Sequence, residues 1–305
     1  MKVLLTGAAG QLGQALLASV PAGIELIATS RQGGAGLLPL DLADGEACRA
    51  AVRHHQPDWV LNGGAYTAVD RAESEPELAL AVNGGAPRAF AEALLATGGR
   101  LLQVSTDFVF NGQQGSPYRP EQPRDPLGSY GRSKAAGEGA VEEVLGSSGR
   151  GLILRTSWVM GPVGKNFALT MLRLHRQKPE IGVVVDQVGC PTSTHTLAAA
   201  CWRSMAASAT QVALPAVLHW SDAGAASWYD VAMAVGELAQ ELGLLPQPAR
   251  VNPLTTAEYP LPAPRPSYSL LDCSSSRRAL ELEPTHWRQA LRQLLEAVAP
   301  TAAGS

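Results

Sequence analysis

The chain has 305 residues, 46% of them hydrophobic and 17% charged, a composition that supports a large folded core and excludes an intrinsically disordered protein. A net charge of -3 leaves no basic footprint for nucleic acid, and no stretch approaches the roughly 20 apolar residues that a membrane-spanning helix needs. Lys2 with its apolar and small followers imitates a secretory leader, but Thr6, Gly7, Gly10 and Gln11 interrupt the apolar region.

Val3 to Leu5 is a short apolar run followed by Gly7, Gly10 and Gly13, which predicts a buried strand feeding a tight turn into a helix. The spacing is G-x-x-G-x-x-G, with Gln11 and Leu12 between the last two glycines. Directly after an N-terminal strand, such a turn brings backbone close to a pyrophosphate and aims the first N–H groups of the helix at it. A dinucleotide site is therefore expected here. Ile24 to Ala28 predicts a second strand, Asp44 to His55 a helix closed by Pro57, and Trp59 to Leu61 a third strand. Arg71 to Val82 and Ala86 to Ala96 are expected as helices, Leu101 to Ser105 as a strand, Tyr130 to Leu145 as a helix and Leu152 to Arg155 as a strand. Strands alternating with helices predict an α/β, Rossmann-type doubly wound parallel sheet over residues 1–157.

After Trp158 the texture changes. Helices are expected over Phe167 to Arg176, Leu197 to Ala207, Ser227 to Leu242 and Arg288 to Val298, and short β runs over Ile181 to Val185 and Val217 to Trp220. The proline-rich stretch Pro246 to Pro266 is expected as an ordered loop over a pocket. Residues 158–298 thus predict a smaller C-terminal α/β substrate domain, with segments returning to the first, and residues 299–305 a disordered tail. Cys48, Cys190, Cys201 and Cys273 include no C-x-x-C, and the histidines show no ligand spacing, so no metal site is expected and reduced thiols fit a cytoplasmic protein.

Tyr130-Gly131-Arg132-Ser133-Lys134 places Tyr130 and Lys134 one helical turn apart on one face. An ammonium about 4 Å from a phenol, at an effective dielectric near 20, favours the phenolate by about 4 kcal/mol. That predicts a tyrosine tuned toward neutral pH as a general acid. Ser105-Thr106-Asp107 falls at the C-terminal end of a predicted strand, where open α/β sheets bind ligands. Cofactor choice is written after the second strand, where Thr29-Ser30-Arg31 stands in place of the acidic residue that NAD-selective sites use. Ser30 and Arg31 suit a 2′-phosphate, so NADPH is expected as the preferred cofactor, with NADH as a secondary donor.

Glycine turn, hydroxyl residue at a strand end, then Tyr and Lys is the order of the extended short-chain dehydrogenase/reductase family, which the chain resembles over nearly its whole length. Further blocks narrow the match: Gly64 to Glu73, Ser105 to Phe110, Arg155 to Val159, Asn166-Phe167, D-Q-V-G-C-P-T from Asp186, W-Y-D at Trp228 and R-P-S-Y-S from Arg265. Together they resemble the dTDP-4-dehydrorhamnose reductase family. Gly63-Gly64, Phe108 and Met160 depart from its usual alanines, tyrosine and aromatic residue.

The resemblance implies NADPH-dependent reduction of the C4 ketone of dTDP-4-dehydro-β-L-rhamnose to dTDP-β-L-rhamnose. Tyr130 would be the general acid, Lys134 the partner of Tyr130 and of the nicotinamide ribose, and Thr106 the residue that polarises the carbonyl. Asp41 and Leu42 would lie by the adenine, and Ala65, Tyr66 and Thr67 would border the cofactor. Val69, Asp70, Asp107, Trp158, Asn166 and Arg265 are implied for the nucleotide-sugar pocket. A related dehydratase would need an acid where Phe108 stands. From another class, a non-catalytic NADP-binding regulatory subunit, like the methionine adenosyltransferase β subunit, is opposed by the intact Thr106, Tyr130 and Lys134. Oligomeric state stays open, with a homodimer as one form, as does metal bridging between subunits.

Overall fold

A computed structural model describes residues 1–209 and 214–299; of the tail expected over 299–305, residues 300–305 lie outside the described residues. In chain order, β1 (Lys2–Thr6), α1 (Gln11–Ala18), β2 (Glu25–Ser30), β3 (Leu38–Pro39), α2 (Gly45–His55) and β4 (Trp59–Asn62) form the first half of the sheet layer. Next come α3 (Pro76–Leu80), α4 (Ala86–Thr97), β5 (Arg100–Thr106), α5 (Ser129–Leu145) and β6 (Gly151–Thr156). Asp44 starts α2 by accepting hydrogen bonds from the Glu46 and Ala47 N–H groups, each at 2.9 Å. The remainder comprises β7 (Val159–Met160), α6 (Phe167–Gln177), β8 (Glu180–Val184), β9 (Val188–Gly189), β10 (Thr192–Ser193), α7 (Thr194–Ala209) and β11 (Val217–His219). It closes with β12 (Ala226–Ser227), α8 (Trp228–Glu241), β13 (Arg250–Leu254), α9 (Ser274–Leu280) and α10 (Trp287–Val298).

Seven strands pair in parallel in the order β11-β6-β5-β4-β1-β2-β3. The order reverses beside β1, which sets a crevice at the strands' C-terminal ends. Val3, Leu4 and Leu5 are fully buried because both faces of the sheet are covered. Val3 and Leu5 pack with Leu16, Trp202 and Met205, while Leu4 points the other way into Val60, Phe90 and Leu94. The sheet is thus the doubly wound one that the alternation predicts. A separate apolar cluster joins α6, α8 and α10 to β8 and β13 through residues such as Leu172, Val235, Leu291 and Val251.

Two expectations need correction. The helix expected over Arg71 to Val82 is broken into a 3₁₀ turn at Arg71–Glu73, α3, and a π turn at Ala81–Gly85. Asn83 sits in that π turn, and its side chain is held by the Tyr66 N–H, the Tyr66 carbonyl and the Ser133 hydroxyl at 2.9, 3.0 and 3.0 Å. The proline-rich stretch is no mere loop, since β13 within it pairs in parallel with β8. Pro253 is compatible with this pairing because Arg250 N–H bonds the Pro179 carbonyl, so alternation turns position 253 away from β8.

Candidate active site

A cavity of about 710 Å³ opens at the C-terminal ends of the strands. One wall is the turn between β1 and α1. Gly7 has φ +68°, and a Cβ there would lie 2.6 Å from the Gly64 Cα. A Cβ on Gly13 would lie 2.2 Å from the Gly7 carbonyl oxygen, so only glycine lets the helix close onto the turn. No side chain caps α1 at Gly10, and Gly7, Gly10, Gln11, Leu12 and Gly13 all line the cavity. Helix N–H groups in such a position are anion donors.

Ser30 and Arg31, after β2, line the same cavity, as do Ala65 and Thr67. The Ser30 hydroxyl accepts from Gly33 N–H at 3.1 Å, and Arg31 has no ion pair among the described residues. Three residues predicted for the cofactor stand back from the cavity wall. Asp41 is exposed and accepts from Ala43 N–H at 3.0 Å, Leu42 packs behind Gly64, and the Tyr66 hydroxyl donates to Glu75 at 2.5 Å.

β5 delivers Thr106 and Asp107, and α5 delivers Tyr130 and Lys134, to the cavity floor. The Thr106 hydroxyl donates to Asp107 Oδ1 at 3.0 Å and accepts from Phe108 N–H at 3.2 Å. Lys134 is buried, and its Nζ donates to the Val104 carbonyl at 2.6 Å. Tuning of Tyr130 runs opposite to the expectation. Burial pushes the phenol up to about 12, a hydrogen bond with Thr106 opposes this, and the Asp107 charge adds to it. Burial likewise pushes the Lys134 ammonium down to about 8, against the pull of Glu138. Asp107, 1% exposed, is pushed up to about 6 by burial, opposed by hydrogen bonds with Ser269 and Thr106. Beneath Lys134 lies a buried ion pair, with Arg155 Nη2 2.7 Å from Glu138 Oε2.

The facing wall is made of side chains. Trp158, in the left-handed region at φ +46°, stacks on Trp228 with ring centroids 3.6 Å apart, and Phe167 tilts against Trp228 at 4.6 Å. Val69 and Arg265 also line the cavity. Asp70 does not border it, because its carboxylate is clasped by Arg265 at 3.0 and 2.8 Å. That pairing holds the Asp70 carboxyl below the usual carboxylate range. Asn166 lines the cavity, but its carboxamide is engaged: Oδ1 caps α6 at Leu169 N–H, and Nδ2 donates to Gln11 Oε1 and the Gly161 carbonyl. Gln11 is likewise fastened across the cavity, accepting from Gly161 N–H at 3.0 Å and donating to the Lys165 carbonyl at 3.2 Å.

Comparison with known proteins places this geometry. The model for the RmlD substrate binding domain matches residues 1–299. A dTDP-4-dehydrorhamnose reductase of Streptomyces griseus is 43% identical over 300 residues, covering 97% of this chain and 93% of that one. The chain belongs to the dTDP-4-dehydrorhamnose reductase family. Among solved structures, a dTDP-4-dehydrorhamnose reductase from Clostridium acetobutylicum superposes with TM-score 0.85 at 32% identity, over 97% of this chain and 99% of that one. One from Bacillus anthracis, solved in complex with NADP, gives TM-score 0.83 at 31% identity, over 97% and 98%.

In this member of the dTDP-4-dehydrorhamnose reductase family, the cavity lining also includes residues that the sequence did not single out for the site, among them Phe167, Trp228 and Lys165. Phe167 and Trp228 lay inside blocks that carried the resemblance, and each begins a helix, which was the available signal. Lys165 had none beyond its place before Asn166. Among the described residues no group of three His, Cys, Asp or Glu could hold a metal ion, and no helix is long and apolar enough to cross a membrane.

Proposed function

We propose that the protein reduces the C4 ketone of dTDP-4-dehydro-β-L-rhamnose to dTDP-β-L-rhamnose with NADPH. The observation that carries this is the convergence of Thr106, Tyr130 and Lys134 on one cavity whose other side is an uncapped glycine turn. That turn fits a dinucleotide, since the cradle between Gly7, Gly13 and Gly64 is one a Cβ would fill. Gly10 to Gly13 would hold the pyrophosphate, and Ser30 with Arg31 the 2′-phosphate. NADPH, when bound, supplies the hydride. Family membership and the NADP complex of the Bacillus anthracis relative support the cofactor.

Tyr130 holds its proton at neutral pH, because burial keeps the phenol at about 12, and delivers it to the sugar oxygen as negative charge develops there. Thr106 stands beside it to orient that oxygen. Lys134 is fixed by the Val104 carbonyl on the same face of α5 as Tyr130, where it would hold the nicotinamide ribose. Residues 1–157 serve the cofactor and residues 158–298 mainly the nucleotide sugar, with Trp158 and Arg265 bordering the substrate. The four cysteines are free and buried, which fits a reducing compartment such as the cytoplasm. The test is to incubate the purified protein with dTDP-4-dehydro-L-rhamnose and NADPH and assay for dTDP-L-rhamnose. Failure to form it under conditions where a known reductase does would overturn the proposal.

A further inference from the structure

Four cationic residues line the cavity: Arg31, Lys134, Lys165 and Arg265. Three have identifiable tasks. Lys134 is buried and donates to the Val104 carbonyl, Arg265 is clasped bidentately by Asp70, and Arg31 stands after β2 at the 2′-phosphate end. Lys165 is exposed, and its side chain has no ion pair or hydrogen bond among the described residues.

Its backbone, by contrast, is fixed. The Gln11 carboxamide donates to the Lys165 carbonyl at 3.2 Å and accepts from Gly161 N–H at 3.0 Å and from Asn166 Nδ2 at 2.7 Å. Gly164 supplies the φ of +74° that turns the strap at this point, and a Cβ there would lie 3.2 Å from Gln11 Cγ. Lys165 therefore stands at the seam where the N-termini of α1 and α6 meet the same cavity.

The proposed reaction brings two diphosphates into this cavity, one from the cofactor and one from the nucleotide sugar. The uncapped N-terminus of α1 answers one of them. With Arg265 paired to Asp70, Lys134 buried on the Val104 carbonyl and Arg31 at the 2′-phosphate end, Lys165 is the exposed cavity cation left to meet the second diphosphate. We propose that Lys165 is a diphosphate-binding residue at the junction of the two ligands, held there by Gln11 and Asn166. This rests on the functional reading above and adds a residue to it.

The experiment is calorimetric titration of wild type, Lys165→Met and Lys165→Arg with dTDP and, separately, with NADPH. Loss of a charged hydrogen-bonding partner should weaken dTDP binding about ten- to a hundredfold in Lys165→Met, and Lys165→Arg should recover most of it. A weakening confined to NADPH would assign the same residue to the cofactor's pyrophosphate, and a weakening of both would make it shared. Lys165→Met binding both ligands as wild type does would overturn the proposal while leaving the functional reading intact. Wild type that binds neither ligand would sink both.

Discussion

Where β1 meets α1 the cavity wall is built on a glycine turn and its backbone, whereas across from it Trp158, Phe167, Trp228 and Arg265 present side chains. In the proposed function the backbone wall would recognise phosphate through N–H groups that every residue carries, so it could be spoiled by added bulk but not retuned by side-chain exchange. Gly13 shows this, since any Cβ would collide with the Gly7 carbonyl. The side-chain wall works in the opposite way. Its aromatic stack and ion pair are residue-specific, so single substitutions there should alter which sugar nucleotide binds while leaving the dinucleotide turn untouched.

The largest effect is expected where the two walls meet. Tyr130→Phe removes the proton donor without changing either wall, so turnover should fall at least about 100-fold while NADPH affinity stays within about twofold. Steady-state kinetics together with cofactor titration check this, and near wild-type turnover would contradict the assignment of Tyr130.

Arg265→Ala sharpens the comparison from the side-chain wall. It removes a guanidinium and leaves the Asp70 carboxylate uncompensated beside an anionic ligand. Sugar-nucleotide binding should weaken by about tenfold or more, with NADPH binding little changed. Equal loss of both affinities would mean that the pair holds the loop rather than reads the ligand. Beyond the glycine turn, where Arg31 after β2 adds a side chain to the cofactor end, Arg31→Ala should lower the preference for NADPH over NADH, read as the ratio of kcat/KM values, by about tenfold. An undiminished ratio would show that Arg31 does not contact the 2′-phosphate.

The smallest expected effect is on stability. Asp107 and Asp222 are buried and pushed up to about 6 from an ordinary 3.8. Between those values the folded state binds more protons than the unfolded one, so their contribution is full below about pH 4 and is lost as pH rises through about 6. Asp107→Asn should remove part of that slope, on the order of 1–3 kcal/mol between pH 4 and pH 7 in urea unfolding. An unchanged slope would mean that Asp107 ionises without cost in the folded chain.

The same contrast explains what was legible in the sequence. The strand, the glycine turn and the Tyr130–Lys134 pair are encoded within a few neighbouring residues, by apolar run, absent Cβ and helical spacing, and the structure brings them together as local rules require. The side-chain wall depends on contacts between distant segments: Gln11 to Asn166 spans 155 positions, and Asp70 to Arg265 spans 195. Nothing near Asp70 or Arg265 announces that each is the other's partner. Tyr130 shows a different limit. Spacing placed Lys134 on the correct face, but burial of both groups reversed the expected shift, and burial is a property of the assembled core. The π turn around Asn83 was likewise hidden, because its widening is fixed by Tyr66 and Ser133 rather than by its own sequence.

The claim that both walls hold their ligands together for a reduction at sugar C4 is tested most directly by isotope transfer. The protein is incubated with dTDP-4-dehydro-L-rhamnose and NADPH dideuterated at the nicotinamide C4, and the product is examined by NMR. Deuterium at C4 of dTDP-L-rhamnose is the predicted result; a product without label at C4, or no product alongside an active reference reductase, would contradict it.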